Sequence, residues 1–410
     1  MDWKRANIKF HDYFSALNRR EFFKSGLLAA LAVIFGGSKC TDGAKHFNYS
    51  TYESLGVRPV INCWGTISVI GGSLVLPVVR RAMEEAGSKF VFLEELMEKV
   101  SDHLAELTGA EGGIVTSGAT GALMLATAAC IVGTDPEKMA KLPDCSEMKN
   151  EVIAHRLHRH GFEHIIHCVG AKIIECDSIE DMESKINERT AMISALGDAF
   201  DRPDSPTEEE MVTVSRKTGV PILVDAAAER PDFPNRYIKA GIDLVAYSGG
   251  KCLCGPQSTG LLLGRKDLTW AAYMNSYSNL TIGRSMKVDK GEIIGCIVAL
   301  EWWIHRRDHK GEWKQWEGHL KYISDAITDI PTVRTEVVQP GRINVTPTLS
   351  ITWNEQSIGL SPQQVHDKLL NGEPRIKMAV NDNGLSVNPY MMEPGEERIV
   401  AKRLRQSLVK

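Results

Sequence analysis

The sequence predicts an α/β protein with a large domain on a mostly parallel sheet and a smaller α+β domain at the C-terminus. Between residues 110 and 265, short segments that are apolar on both faces alternate with helical segments. Strands buried on both faces are typical of a parallel sheet covered by helices. After residue 290, long helices and separate strand-like segments follow, which is the pattern of an α+β unit.

Seven apolar segments rich in Val, Ile and Leu account for the predicted sheet of the large domain. In chain order they are GGIVTSG, NEVIAH, AKIIEC, TAMISAL, PILVDAA, LVAYSGG and TGLLLG. The helical segment TGALMLATAACIVG follows the first of them, and TEEEMVTVSRKTG precedes PILVDAA. In that second helix, Thr207 is the expected N-cap, Glu210 completes a capping box and Gly219 ends the helix.

We assign residues 46–295 to the large domain and residues 296–410 to the small one. The small domain is expected to contain one long helix, EIIGCIVALEWWIHRRDHKGEWKQWEGHLKYISDAI, and a closing helix, PGEERIVAKRLRQSL. Its strand-like segments are TVRTEVVQP, TLSITW, IKMAV and GLSVNP. Because residues 47–75 precede the large domain, we expect this segment to pack against the small one.

The composition favours a globular protein that acts on small molecules. The 410 residues are 43% hydrophobic, and 48 Lys and Arg against 52 Asp and Glu leave a net charge of −4. Without a basic stripe, nucleic acid is not an expected partner. The nine cysteines have neither zinc-finger nor dense disulfide spacing, so most are expected to be small buried side chains.

Residues 1–45 resemble a signal segment of the twin-arginine export route. Arg19 and Arg20 precede a Phe-Phe-Lys sequence and an apolar run, Leu27–Phe35, that is too short for a lasting membrane span. This route exports folded proteins, so the predicted location is the periplasm. The alternative interpretation is an amphipathic N-terminal helix on a cytoplasmic protein.

The first candidate site is the turn TSGATGAL, where a predicted strand passes into a helix. Free N–H groups at a helix N-terminus bind anions, and small residues allow a ligand to approach the backbone closely. Ser117, Gly118, Ala119 and Thr120 therefore form a candidate phosphate-binding turn. An ordinary strand-to-helix turn is the alternative.

Asp225 and Lys251 are the second and third candidates, each at the end of a predicted strand. A buried carboxylate needs a partner, such as a protonated ring nitrogen, a helix N-terminus or a cation. A desolvated lysine amine becomes a nucleophile, and the glycines before Lys251 leave room around it. Cys252 and Cys254 could bind a metal or cycle between redox states, but packing around the turn is the favoured interpretation.

Taken together, these features resemble the fold-type I pyridoxal-phosphate enzymes of the selenocysteine synthase and D-glucosaminate-6-phosphate ammonia-lyase-like family. Seven segments between residue 55 and the C-terminus carry the resemblance, namely RPVINCWGTISVIGGS, FVFLEELMEKVSDHLAELTGAEGGIVTSGATGALMLATAAC, NEVIAHRLHRHGFEH, ILVDAAAE, YSGGKCLCGPQSTGLLLG, IGRSMKVDKGEIIG and MEPGEERIVAKRL. The resemblance implies an aspartate aminotransferase-like fold, pyridoxal 5'-phosphate as cofactor, a small amino substrate and a homodimer or larger even oligomer.

The resemblance also implies roles for particular residues. Lys251 is the expected Schiff-base lysine, Asp225 the partner of the pyridine nitrogen, and Ser248 a further cofactor contact. His158 matches a family histidine at the face of the cofactor ring, although Leu157 replaces the glycine that usually precedes it. The residues expected near the substrate are Arg284, which could instead reach a phosphate from a neighbouring subunit, and Asn62, Thr66 and Ser73.

The predicted activity is that of a pyridoxal-phosphate lyase, with Cα-proton abstraction and β-elimination to a keto acid and ammonia. Racemisation, aldol cleavage and transamination start from the same chemistry and stay open. Selenium transfer to seryl-tRNA is disfavoured because no tRNA-binding module or basic surface is evident. A non-catalytic ligand-binding relative is a further alternative. No metal is expected, since His160 and His164 lack further ligands nearby.

Overall fold

The structure, a computed structural model, describes residues 51–343 and 345–409, so the predicted signal segment lies outside the described residues. The strands are β1 (Val60–Cys63), β2 (Gly112–Ser117), β3 (Glu151–His155), β4 (Lys172–Cys176), β5 (Thr190–Leu196), β6 (Ile222–Asp225), β7 (Leu244–Ser248), β8 (Thr259–Gly264), β9 (Arg334–Val338), β10 (Thr348–Thr352), β11 (Arg375–Asn381) and β12 (Gly384–Val387). The α-helices are α1 (Pro77–Gly87), α2 (Leu93–Thr108), α3 (Gly118–Val132), α4 (Pro136–Lys141), α5 (His164–Cys168), α6 (Ile179–Lys185), α7 (Glu208–Thr218), α8 (Arg236–Ala240), α9 (Lys266–Met274), α10 (Lys290–His305), α11 (His309–Asp325), α12 (Glu355–Ile358), α13 (Pro362–Leu370) and α14 (Glu396–Leu408). Residues 51–58 are a separate short unit, closed by hydrogen bonds between Thr51 and Ser54.

The large sheet has seven strands in the order β2-β8-β7-β6-β5-β3-β4. The pairs from β7 to β4 are all parallel, whereas β8 runs antiparallel to both of its neighbours. The seven apolar segments of the sequence are the seven strands of this sheet, so the predicted fold class is confirmed.

Local sequence signals explain the helices that cover this sheet. Helix α3 is apolar around most of its circumference and is buried along most of its length, as a helix packed on all sides must be. Helix α7 has the expected capping box between Thr207 and Glu210, and Gly219 ends it in a left-handed conformation with φ of 71°.

A second sheet has five strands in the order β1-β11-β12-β10-β9. Strand β1 pairs in parallel with β11, so the segment before the large domain contributes an edge strand to the C-terminal sheet. A separate hydrophobic core lies against this sheet and includes Leu320, Ile351, Ile376 and Leu404.

The structure corrects two details of the C-terminal prediction. The single long helix is two helices, α10 and α11, because the side chain of Asp308 accepts a hydrogen bond from Gly311 N and starts a new helix. The predicted boundary at residue 295 falls within α10, whose buried side chains as far as Trp303 join the large core. The change from one core to the other lies between Trp303 and Leu320.

Within the described residues, we find no helix with the length and apolar character needed to cross a bilayer.

Candidate active site

The predicted groups lie at one edge of the large sheet, where parallel strands end. Asp225 is the last residue of β6 and pairs with Ala246 of β7, and Lys251 follows soon after β7. Strand β2 runs in the same direction and ends at the turn Ser117–Thr120, which we call the phosphate turn. Open α/β sheets bind ligands outside the carboxyl ends of their strands, so a ligand-binding site is expected at this edge.

The Lys251 side chain is largely buried and makes no hydrogen bond or ion pair within 4 Å to any described residue. Burial lowers the pKa of its amine below the ordinary value, and the charge of Asp225 is the largest opposing influence. A lysine of lowered pKa carries an unprotonated amine more often at neutral pH, which is the form that attacks a carbonyl carbon.

The turn that carries Lys251 is closely packed. A Cβ on Gly249 would lie 2.2 Å from Thr259 Oγ1, and one on Gly250 would lie 2.4 Å from Gln257 Cα. The carbonyl of Gly250 accepts hydrogen bonds from both the backbone N–H (3.1 Å) and the hydroxyl (2.9 Å) of Ser73. Ser73, predicted to face the substrate, is therefore buried behind the lysine turn and supports it.

Asp225 is buried, and one of its oxygens, Oδ1, accepts a hydrogen bond of 2.9 Å from Ala227 N. The other, Oδ2, lies 4.0 Å from Nε2 of His160. The side chain of His160 is 11% exposed, and its Nδ1 has no partner among the described residues. Asp225 thus keeps an oxygen beside an imidazole that also has unused hydrogen-bonding capacity.

The structure places His160 beside Asp225, whereas the histidine predicted at the face of the cofactor ring is His158. His158 is buried, its Nδ1 accepts a hydrogen bond from Leu196 N (3.0 Å), and its Nε2 lies 2.9 Å from Ser205 Oγ. Burial lowers the pKa of His158 to about 3, so the ring is neutral, with the Nε2 proton donated to Ser205. His158 is the last residue of the short 3₁₀ turn Arg156–His158, and its place at the face of the cofactor ring stays a prediction.

The phosphate turn has the open geometry that anion binding requires. Gly118 has a φ of +70°, and no side chain caps helix α3, so the N–H groups of its first turn are free of capping side chains. Gly260 packs directly beneath, where a Cβ would lie 2.4 Å from the carbonyl carbon of Gly118. Ser248 pairs with Gly260 in the sheet and therefore lies next to this turn.

A cavity of about 210 Å³ opens beside Lys251. Its lining is mostly apolar and comprises Trp64, Gly65, Thr66, Ile67, Ala228, Lys251, Cys252, Ile343, Val345, Asn388 and Tyr390. Thr66, one of the predicted substrate residues, is part of this lining. Asn62 lies behind it, because its Oδ1 accepts hydrogen bonds from the backbone N–H groups of Trp64 (2.8 Å) and Gly65 (3.1 Å). Asn62 therefore shapes the loop that bears Thr66.

Arg284 lies away from this cavity. It belongs to a 3₁₀ turn, Ile282–Ser285, is exposed, and donates a hydrogen bond of 3.1 Å to Tyr277 O. Contact with a substrate in the cavity of its own chain is not supported, which leaves the alternative of a role towards a neighbouring subunit.

Sequence reasoning missed Trp64, Tyr390 and the position of His160. The histidine-rich segment after β3 was a signal for a ring contact, but the backbone turn decides which histidine faces Asp225. Trp64 follows a strand end, where a site residue is expected. Tyr390 carries no such signal. No group of three histidine, cysteine or acidic side chains in the described part of the chain is arranged to hold a metal.

The residues present fit pyridoxal phosphate. Gly260 lets the phosphate turn pack closely on β8, no side chain caps the helix N-terminus at that turn, and Lys251 offers a largely buried amine without a hydrogen bond or ion pair to the described residues. Asp225 is placed to accept a hydrogen bond from a protonated ring nitrogen, and His160 has an unpartnered nitrogen next to it.

Comparisons with known proteins agree with this fit. The aminotransferase class-V family matches residues 78–284. D-glucosaminate-6-phosphate ammonia lyase of Salmonella typhimurium is 30% identical over 87% of this chain and 97% of its own. A 5'-C-glycyluridine monooxygenase-decarboxylase of a Streptomyces species is 29% identical over 87% and 92%. An L-seryl-tRNA(Sec) selenium transferase of Moorella thermoacetica is 26% identical over 86% and 82%.

A solved structure of D-glucosaminate-6-phosphate ammonia-lyase superposes with a TM-score of 0.78, at 29% identity, over 88% of this chain and 98% of that one. The resemblance inferred from the sequence motifs and the prediction of pyridoxal phosphate as cofactor are confirmed. The chain belongs to the aminotransferase class-V family of pyridoxal-phosphate enzymes, in the group that includes D-glucosaminate-6-phosphate ammonia-lyase and the selenocysteine synthases.

Proposed function

We propose that this protein is a pyridoxal-phosphate lyase that releases ammonia from a small amino acid or amino-sugar acid bearing a β-hydroxyl group. The observation that carries the proposal is the buried amine of Lys251, unpaired and facing a cavity, with Asp225 nearby. The ammonia-lyase relative, which matches nearly the full length of this chain, supports the lyase class and the amino-sugar acid as substrate type.

Pyridoxal phosphate, when bound, supplies an electron sink that stabilises negative charge on the substrate Cα. The phosphate turn and Ser248 would hold its phosphate, and Asp225 would keep a proton on its ring nitrogen. Lys251 takes the proton from the substrate Cα, because burial favours its neutral amine. The same group, now an ammonium, donates a proton to the β-hydroxyl as it leaves as water. Hydrolysis of the resulting enamine gives a keto acid and ammonia.

The side chains that line the cavity favour one type of substrate over another. Trp64, Ile67, Ile343 and Val345 present apolar surface, whereas Thr66 offers a hydroxyl that could orient hydroxyls of the substrate. An amino acid with a short polyhydroxylated chain combines carbon–hydrogen faces that pack on an indole with hydroxyls that bind polar groups. This wall supports an amino-sugar acid over a bulky aromatic amino acid.

We also propose that the protein is a homodimer or a larger even oligomer. Val69, Phe90 and Phe92 are more than four-fifths exposed, and large exposed apolar side chains commonly mark an interface. Arg284, exposed on a turn near α3, would then contact the phosphate bound to the neighbouring subunit. Light scattering of the purified protein tests this proposal, and a monomeric mass would contradict it.

The location in the periplasm is likewise a proposal, supported by the twin arginine and the short apolar run in residues 1–45. A fusion of residues 1–45 to a reporter should be exported only when Arg19 and Arg20 are intact. A reporter that stays in the cytoplasm would contradict the assignment.

The function itself is tested by spectroscopy and product analysis. Purified protein should absorb visible light when loaded with pyridoxal phosphate, and borohydride reduction should fix the cofactor to Lys251. Lys251→Ala should lose this covalent attachment and the release of ammonia and keto acid from D- or L-β-hydroxy amino acids and amino-sugar acids. Lys368→Ala, at an exposed lysine of α13 outside the cavity lining, is the matched control. A wild-type protein that binds no cofactor would refute the proposal, and inversion of Cα without ammonia release would indicate a racemase.

A further inference from the structure

The backbone on both sides of Lys251 is held by side chains from distant parts of the chain. The preceding carbonyl, that of Gly250, accepts two hydrogen bonds from Ser73. The following carbonyl, that of Cys252, accepts one hydrogen bond from Arg307 Nη1 at 2.6 Å and another from the Tyr390 hydroxyl. Lys251 itself follows two glycines, so its position depends on these anchors.

Arg307 is a buried cation whose surroundings fix its orientation. Its side chain is 6% exposed, and its Nε donates to the carboxylate of Glu312 at 2.7 Å. The guanidinium lies 4.8 Å from the ring centre of Trp303 and 5.4 Å from that of Tyr390. A planar guanidinium between two rings, paired with a carboxylate, keeps its remaining donors in a fixed direction.

The remaining donors of Arg307 point towards the turn that carries Lys251. Arg307 lies at the break between α10 and α11. Tyr390, the second donor to the same carbonyl, also lines the cavity beside Lys251. A change in either donor would therefore move the lysine relative to the cavity wall.

We propose that Arg307, together with Tyr390, is a positioning residue that sets the place and the burial of the Lys251 amine by holding the Cys252 carbonyl. This inference rests on the proposed role of Lys251. Arg307 contacts neither the cavity nor the reacting atoms, and it acts on Lys251 through the backbone alone.

The test measures Lys251 directly, in the apoprotein of the full chain. Trace acetylation with acetic anhydride across a pH series, read by mass spectrometry, gives the pKa and the reactivity of the Lys251 amine without cofactor or substrate. The dissociation constant of pyridoxal phosphate is measured separately by the visible absorbance of the loaded protein. The variants are Arg307→Met, Arg307→Lys and Tyr390→Phe.

The matched control is Arg230→Met. Arg230 is exposed and lies over the same Trp303 ring, at 5.6 Å from its centre, but it makes no hydrogen bond to the Cys252 carbonyl. Arg230→Met therefore removes a cation stacked on Trp303 but leaves the hydrogen bond from Arg307 to the Cys252 carbonyl in place.

We expect Arg307→Met to move the pKa of Lys251 towards that of an exposed lysine and to weaken pyridoxal-phosphate binding about tenfold, the effect of losing one charged hydrogen bond. Arg307→Lys, which keeps a cation able to donate one bond, should recover part of both effects. Tyr390→Phe should shift both quantities in the same direction by a smaller amount, and the control should match wild type.

The proposal is overturned if Arg307→Met lowers only the melting temperature and leaves the labelling profile and the cofactor affinity within about twofold of wild type. If Arg307→Met does not fold, the Lys251 labelling profile of Tyr390→Phe decides, since this variant removes the second donor to the same carbonyl. Its cofactor affinity is not used for this decision, because Tyr390 also lines the cavity. A protein whose Lys251 labelling responds as expected but which binds no cofactor would refute the proposed function and leave the positioning role standing.

Discussion

Glu229 offers a quantitative test of the electrostatics around the active site. Its side chain is buried, and the Tyr237 hydroxyl lies 2.8 Å from each carboxylate oxygen. Burial raises its pKa from 4.5 to about 7, against the opposing effects of the Tyr237 hydrogen bond and of the charges of Arg342 and Arg236, with Asp198 adding to the rise. Its backbone pairs with Ile343, which lines the cavity.

The sign of the pH dependence follows from this raised pKa. Between pH 4.5 and about 7 the folded protein retains a proton on Glu229 that the unfolded chain has already lost. Ionisation of Glu229 therefore lowers the free energy of unfolding as the pH rises through that range. A shift from 4.5 to about 7 corresponds to about 3 kcal/mol of unfolding free energy, complete above neutral pH.

Glu229→Gln should remove this loss, because the amide is neutral at every pH and keeps an oxygen to accept the Tyr237 hydrogen bond. Relative to wild type, the unfolding free energy of the variant should increase by about 3 kcal/mol between pH 4.5 and about pH 8. Urea unfolding at a series of pH values, at constant cofactor concentration, measures the difference.

The matched control is Glu188→Gln, at an exposed glutamate whose side chain has no hydrogen bond or ion pair to described residues. Its stability difference from wild type should stay nearly constant with pH. If the Glu229→Gln difference is also constant, or falls as pH rises, the assignment of a raised pKa to Glu229 is refuted.

Three further predictions concern the cofactor site and the fold. Gly260→Ala should weaken pyridoxal-phosphate affinity at least about tenfold, since its Cβ would force the phosphate turn apart, whereas Gly318→Ala, in α11 with open space around it, should have no effect in the same titration. His160→Ala should also weaken cofactor binding, because it removes the imidazole beside Asp225, and unchanged affinity would exclude His160 from the site. Thr207→Ala should lower the unfolding free energy by about 1 kcal/mol through loss of the α7 capping box, and an unchanged urea midpoint would contradict this role.

Much of the fold could be predicted from residue order because its signals are local. Strands apolar on both faces, such as Thr190–Leu196, indicate a covered parallel sheet wherever they occur. The capping residues of α7 mark its ends without reference to the rest of the chain. The break between α10 and α11 was missed because its only local mark is the Asp308 cap, a weak signal among the polar residues 305–312.

In the candidate site, too, some residues could be predicted from local sequence and others could not. Lys251, Asp225 and the phosphate turn could be proposed from sequence because parallel strands bring their carboxyl ends to one edge. The position of His160 beside Asp225 could not, since it depends on the path of the backbone after β3.

The sequence by itself determined the α/β class, the family and the segments that meet at the active-site edge, because apolar periodicity, capping and strand-end residues act over a few neighbouring positions. Only the tertiary structure decided how the reactive lysine is held. Ser73, Arg307 and Tyr390 reach the carbonyls beside Lys251 from segments far apart in the chain. Such contacts depend on how helices and sheets pack against one another, and no local pattern encodes that geometry.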